Sequence, residues 1–183
     1  MTDQVVHNTG ESDLVQALSR HRDAVELFIE RAWPLSPADW ITPRTQGKWT
    51  PAQEAMHLVL TYQAYLAELR EGPAVTPETF AARLPGFRTE ILPRILAGGW
   101  FPSGGVSPRT AQPDDARRDK ADVLEELAAC VRGFDQAVLE AAARDRHRFV
   151  RHPYFGTLRL DELVVVLAEH TNHHRKCLPE RIR

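Results

Sequence analysis

Cysteine is scarce in this chain: 183 residues include only Cys130 and Cys177, neither in a C-x-x-C pair. That excludes a disulfide framework and a cysteine zinc knuckle, and leaves two small core residues. Cys177 keeps a second reading, because it follows His174 by three positions and could stand beside the same site. Long apolar runs are absent as well. No stretch approaches the roughly 18 residues that a bilayer span demands, and Met1-Thr2-Asp3-Gln4 has neither the basic region nor the apolar stretch of a secretion signal. The expected location is cytoplasmic, with no membrane partner. Charge of one sign is also missing. The 23 Lys and Arg are scattered among 25 Asp and Glu, a formal net charge of −2, so there is no basic footprint for nucleic acid. No Ser-His-Asp, Cys-His or phosphate-loop signature imposes a reaction.

What is present suits one globular domain spanning 1–183. Hydrophobic residues make up 43% and charged residues 26%, enough to build a real core. Four segments have helical period, and no pair of strands joined by a tight turn is legible. The first segment runs from about Ser12 to Ala32 with Leu14, Leu18, Val25, Phe28 and Ile29 inward, and Pro34 and Pro37 stop it. Residues 1–11 read as a loose terminus. The second starts at Thr50, an N-cap followed by Pro51 and by Gln53 at the capping-box position, and runs to about Arg70. The third spans about Asp119 to Ala143, with Val123, Leu127, Val131, Phe134 and Val138 inward and Asp122, Glu125, Glu126 and Asp135 solvated. The fourth spans about Leu160 to Leu178 and ends before Pro179. Between the second and third lies 73–118, which holds seven of the thirteen prolines. It is too long for a turn between neighbours and reads as a crossover, with short helical pieces at Pro77–Leu84 and Phe87–Leu96. The fold class is all-α, a four-helix bundle with one long connection.

Two of these helices carry the chemistry. Leu163, Leu167, His170, His174 and Leu178 step by four, three, four and four, one inward stripe on the fourth helix. Gln53, His57, Leu60, Ala64 and Ala67 form the matching stripe on the second. A buried neutral imidazole needs partners for both ring nitrogens, so three of them find either hydrogen bonds or a metal. Three imidazoles without a dense carboxylate cluster suit Zn²⁺, Ni²⁺ or Fe²⁺ rather than Ca²⁺ or Mg²⁺. His170 with His173 is an alternative pair, but position 173 turns about 100° off the stripe, which favours His174. His7 falls in the terminus, His21 on the charged side of the first helix and His147 in an Arg-rich connection. His152 reads either as a loop residue or as a group lining the site.

Trp49-Thr50-Pro51-Ala52-Gln53-Glu54-Ala55-Met56-His57-Leu58 resembles the opening of the second helix in the DinB-like family. His152-Pro153-Tyr154-Phe155-Gly156-Thr157-Leu158, followed by Leu160 and by His170-Thr171-Asn172-His173-His174, resembles that family's closing motifs. The resemblance implies a four-helix bundle with a divalent metal held by His57, His170 and His174, the residues the stripes select. Arg159 departs from the Thr or Ser found there in relatives, which should weaken the N-cap of the fourth helix by about 1 kcal/mol. Glu54 reads either as a carboxylate behind or on the metal, or as a helix-start acid favoured by the dipole.

Three neutral ligands leave an ion its charge and an open position. Family likeness to enzymes that use mycothiol, bacillithiol or glutathione, maleylpyruvate isomerase among them, implies a metal-dependent thiol S-transferase acting on a small electrophile. Its pocket would be walled by 73–118 and the Tyr154-Phe155 loop, with Arg109 holding an anionic group. Metal-hydroxide hydrolysis assisted by Glu54 is the competing enzymatic reading. A non-catalytic, metal- or ligand-binding stress-response bundle is the third. Apolar surfaces on the first and third helices suit a homodimer.

Overall fold

The computed structural model describes residues 3–73, 75–77, 80, 86–114 and 118–180, with the side chains of 3–12 left aside. Four long helices form a bundle: α1 (Asp3–Ala32), α3 (Pro51–Glu71), α5 (Lys120–Arg144) and α6 (Leu160–Cys177), with a one-turn α2 (Pro37–Trp40) after the first. α1 packs chiefly along α6, and α3 along α5. Their inward stripes meet in one core in which Phe28, Tyr62, Phe134 and Leu163 are fully buried. Each such side chain contributes about 1.5–3 kcal/mol relative to exposure.

Local chemistry sets the helix starts. Thr50 Oγ1 accepts from the Gln53 N–H at 3.2 Å while Gln53 Oε1 accepts from the Thr50 N–H at 3.0 Å, a reciprocal capping box that fixes where α3 begins. α6 has half of one. Glu162 accepts from the Arg159 N–H at 2.9 Å, and the Arg159 guanidinium, which has no acceptor to return, binds Asp161 instead at 2.7 and 3.0 Å.

The structure corrects several expectations. α1 reaches back to Asp3 instead of leaving 1–11 loose, because that stretch holds no proline and one glycine, and an established helix extends cheaply. A hairpin is present after all: β1 (Phe149–His152) pairs antiparallel with β2 (Gly156–Arg159). Its strands are four residues each, too short for a convincing alternation. Gly156 closes the turn at φ 78, a left-handed conformation that glycine adopts freely. The crossover from α3 to α5 contains a π turn (Phe87–Ile91) running into α4 (Leu92–Leu96), then a 3₁₀ turn (Arg109–Ala111). Most of the Pro77–Leu84 piece lies outside the described residues. Arg88 pins the crossover to the hairpin by donating to the carbonyls of Phe155, at 3.1 Å, and Thr157. Among the described residues no helix is long and apolar enough to cross a membrane.

Candidate metal centre

The capping box places His57 on the second turn of α3, facing α6. His170 and His174 lie one turn apart on α6, and one nitrogen from each of the three rings falls within 4.8 Å of the others. The convergence is closer than that. His170 Nε2 stands 3.1 Å from His57 Nε2 and 2.9 Å from His174 Nε2.

The opposite edges of two rings explain which nitrogens are bare. His57 Nδ1 lies 2.6 Å from the Ala111 carbonyl, which can only accept, so Nδ1 carries the proton and Nε2 has a lone pair. His174 Nδ1 bonds Glu54 Oε2, and with Glu54 ionised its proton also sits on Nδ1. Two lone pairs therefore face His170 Nε2, which offers one proton at most. At least one contact near 3 Å is then lone pair against lone pair, an arrangement that a divalent cation resolves and a hydrogen bond does not. The donor set fits such an ion: three imidazoles, two oriented from behind by a carbonyl and a carboxylate.

Burial governs the electrostatics. It holds His57 below the usual imidazole range, though the Ala111 carbonyl pulls back. His170 and His174 lie well below that range, again from burial, with neighbouring histidines adding to it. All three thus favour the neutral form that ligates. Burial also pushes Glu54 up to about 7, against the attraction of Lys48. Aromatic rings wall the centre. Trp49 lies 4.9 Å from the His57 ring and stacks on His174 at 6.2 Å, and Phe101 of the crossover lies 5.1 Å from His170.

Other sequence candidates fall outside the cluster. His173 is half-buried against Phe101 at 5.7 Å. Cys177 is half-buried too, and burial with the Glu54 charge pushes its thiol up, which keeps it protonated. Arg109 is exposed on the 3₁₀ turn that supplies Ala111. Tyr154 and Phe155 pack on Phe87. His147 is exposed, and the side chain of His7 is not described.

Two polar residues are buried where their chemistry suggests exposure. His21, expected on the charged side of α1, is fully buried, and Asp135, expected in solvent, is 6% exposed. They meet: His21 Nδ1 bonds Asp135 Oδ1 at 3.0 Å and His21 Nε2 bonds Tyr62 Oη at 2.8 Å. Tyr62 continues to Thr171 Oγ1 at 2.9 Å, and Arg22 closes the outer end on Asp135 Oδ2 at 2.6 Å. The signal was there. His21 fills the gap in Leu14, Leu18, Val25 and Phe28, and Asp135 lies four residues after Val131 on the same face as Val138.

This fold and site define a class, the four-helix bundles with a buried three-histidine centre able to hold a metal ion. Within that class the chain belongs to the DinB superfamily, whose family model matches residues 13–178. No curated protein and no solved structure matches it.

Proposed function

We propose that this protein is a metal-dependent S-transferase that joins a low-molecular-weight thiol to a small electrophile. The reading is carried by three Nε2 atoms converging on one point while the carboxylate that the described residues bring beside them, Glu54, is already committed to His174. His57, His170 and His174 would hold the ion, Zn²⁺ or Ni²⁺ being the best suited and Fe²⁺ the next. A divalent ion bound there supplies Lewis acidity, which lowers the pKa of a thiol near it and makes a nucleophile at neutral pH.

The chain's own residues do the rest. Ala111 and Glu54 fix the two outer imidazoles, so their lone pairs stay aimed at the shared point without reorganisation. Trp49 and Phe101 keep water from the rings and offer flat apolar faces to an electrophile. Arg109, two residues from Ala111 and exposed, suits an anionic group on the thiol. Hydrolysis is the weaker reading because its base would be Glu54, whose Oε2 is taken by His174.

The test starts from untagged protein. Metal content is compared for wild type and His57→Ala, and metal-loaded wild type is then given glutathione and other small thiols with an electrophile. Expected are a bound ion in wild type, little in the variant, and thiol-dependent consumption of electrophile. Turnover without thiol would sink the transferase reading. Lack of metal in both proteins together with failed reconstitution would sink the site, and a loaded but inactive protein would leave a binding bundle.

A further inference from the structure

Two buried side-chain nitrogens find no hydrogen-bond partner among the described residues, Nε of Arg148 and Nε of Arg175. Arg148 is otherwise placed: its Nη2 donates to the carbonyls of Glu68 at 3.2 Å and Gly72 at 3.3 Å, closing the end of α3. Arg175 has no such anchor. Its guanidinium enters no hydrogen bond and no ion pair among the described residues. A guanidinium sheds neither its charge nor its protons, and buried polar groups are almost always bonded, so a donor left over here calls for a ligand to meet it.

The helix explains where this cation stands. Val164, Ala168 and Thr171 step by four and three along a buried face of α6, and Arg175 is the next residue on that stripe. Position 175 turns about 100° from His174, so it belongs to a different face from the metal centre. Arg175 lines a groove of about 740 Å³ between the ends of α1 and α6, within the roughly 300–1,000 Å³ of small-molecule sites. Leu27, Ile29, Trp33 and Pro34 supply its apolar wall, with Leu27 43% and Trp33 54% exposed. Large apolar side chains left in water beside an unbonded cation suit a molecule with an apolar body and an anionic head.

The other charges of the groove narrow that head. Arg31 is committed to the end of α6, donating to the carbonyls of Leu178 at 2.9 Å and Pro179 at 3.1 Å. Glu30 and Glu180 stand exposed on the rim and pair with neither arginine. Two carboxylates there repel a second negative charge, which limits the head to one. We propose that this groove is a second ligand site, for a small monocarboxylate with an apolar body. Its carboxylate accepts from the Arg175 guanidinium, and its body lies on Leu27, Trp33 and Pro34.

Octanoate is the probe and octan-1-ol its uncharged counterpart, each titrated by calorimetry into the full chain after a chelator has stripped any metal. Octanoate is expected to bind about tenfold or more tightly than octan-1-ol. Equal affinities overturn the proposal, because the guanidinium then adds nothing. Octanoate uptake that appears only after Zn²⁺ is restored overturns it by placing the carboxylate on the histidines. Suberate, of the same length with a carboxylate at each end, is expected to bind more weakly than octanoate, and equal binding overturns the single-charge head. Arg175→Gln is expected to lose the preference for octanoate and to keep its hold on octan-1-ol, which reports an intact groove. Leu27→Glu, on the exposed wall, is expected to weaken both. One readout needs no variant: in wild type labelled with ¹⁵N-arginine, the Arg175 Nε–H resonance is expected to shift with octanoate and not with octan-1-ol. A stationary resonance overturns the proposal. So does a chain that is dimeric by light scattering, made monomeric by Leu27→Glu and indifferent to octanoate, since a second copy then fills the groove.

Discussion

Glu54 reaches the metal question through His174 rather than directly. A carboxylate behind an imidazole fixes its tautomer and raises its basicity, so Glu54→Gln is expected to weaken Zn²⁺ binding by about 10–100-fold, read by chelator competition. That role was half visible in the sequence, since positions 54 and 57 share a helix face, but the partner on α6 depends on how two helices approach and no spacing encodes it. His21 and Asp135 are equally on their stripes, but polarity alone points such residues outward and only the pairing of α1 with α5 makes their burial favourable. Burial makes His152 pH-sensitive in a definite direction. Below pH 6.5 the unfolded chain takes a proton that the folded one, with this imidazole near 3, refuses. Its contribution is therefore whole above pH 6.5 and lost as pH falls, about 2 kcal/mol of it by pH 5. His57, His170 and His174 act in the same sense, while Glu54, raised to about 7, favours the folded state as pH falls from 7 toward 4.5. His152→Asn isolates one group: the urea-stability advantage of wild type over the variant is expected to shrink between pH 6.5 and 5 and to stay level above.

At the scale of elements, the legible parts were those written in contiguous residues. The Thr50–Gln53 box, the Asp119 cap of α5 and the stop before Pro179 are local, so α3, α5 and α6 begin and end within a residue or two of their expected bounds. Thr50→Ala removes one half of the box and is expected to cost about 1 kcal/mol, lowering Tm by about 2–4 °C in a thermal melt. The hairpin escaped because its stability is borrowed. Arg88 of the crossover holds the carbonyls of Phe155 and Thr157, and Val150 and Leu158 are buried under the bundle, contacts made by residues far away in sequence.

Across the whole molecule, one chain of hydrogen bonds touches every long helix: Asp135 of α5, His21 of α1, Tyr62 of α3 and Thr171 of α6. Such a chain sets the rotation of each helix against the others, and Thr171 lies between His170 and His174. Asp135→Ala strands His21 in the core and is expected to cost about 2–4 kcal/mol, measured by urea unfolding. The two outer imidazoles of the centre also differ in how their proton is held. His174 depends on a side chain, so one codon change at Glu54 can release it. His57 depends on the peptide carbonyl of Ala111, which every amino acid possesses. Drift in the sequence of the 3₁₀ turn leaves that hold intact as long as the backbone keeps its path, so half of the centre is insulated from point mutation and the other half is exposed to it.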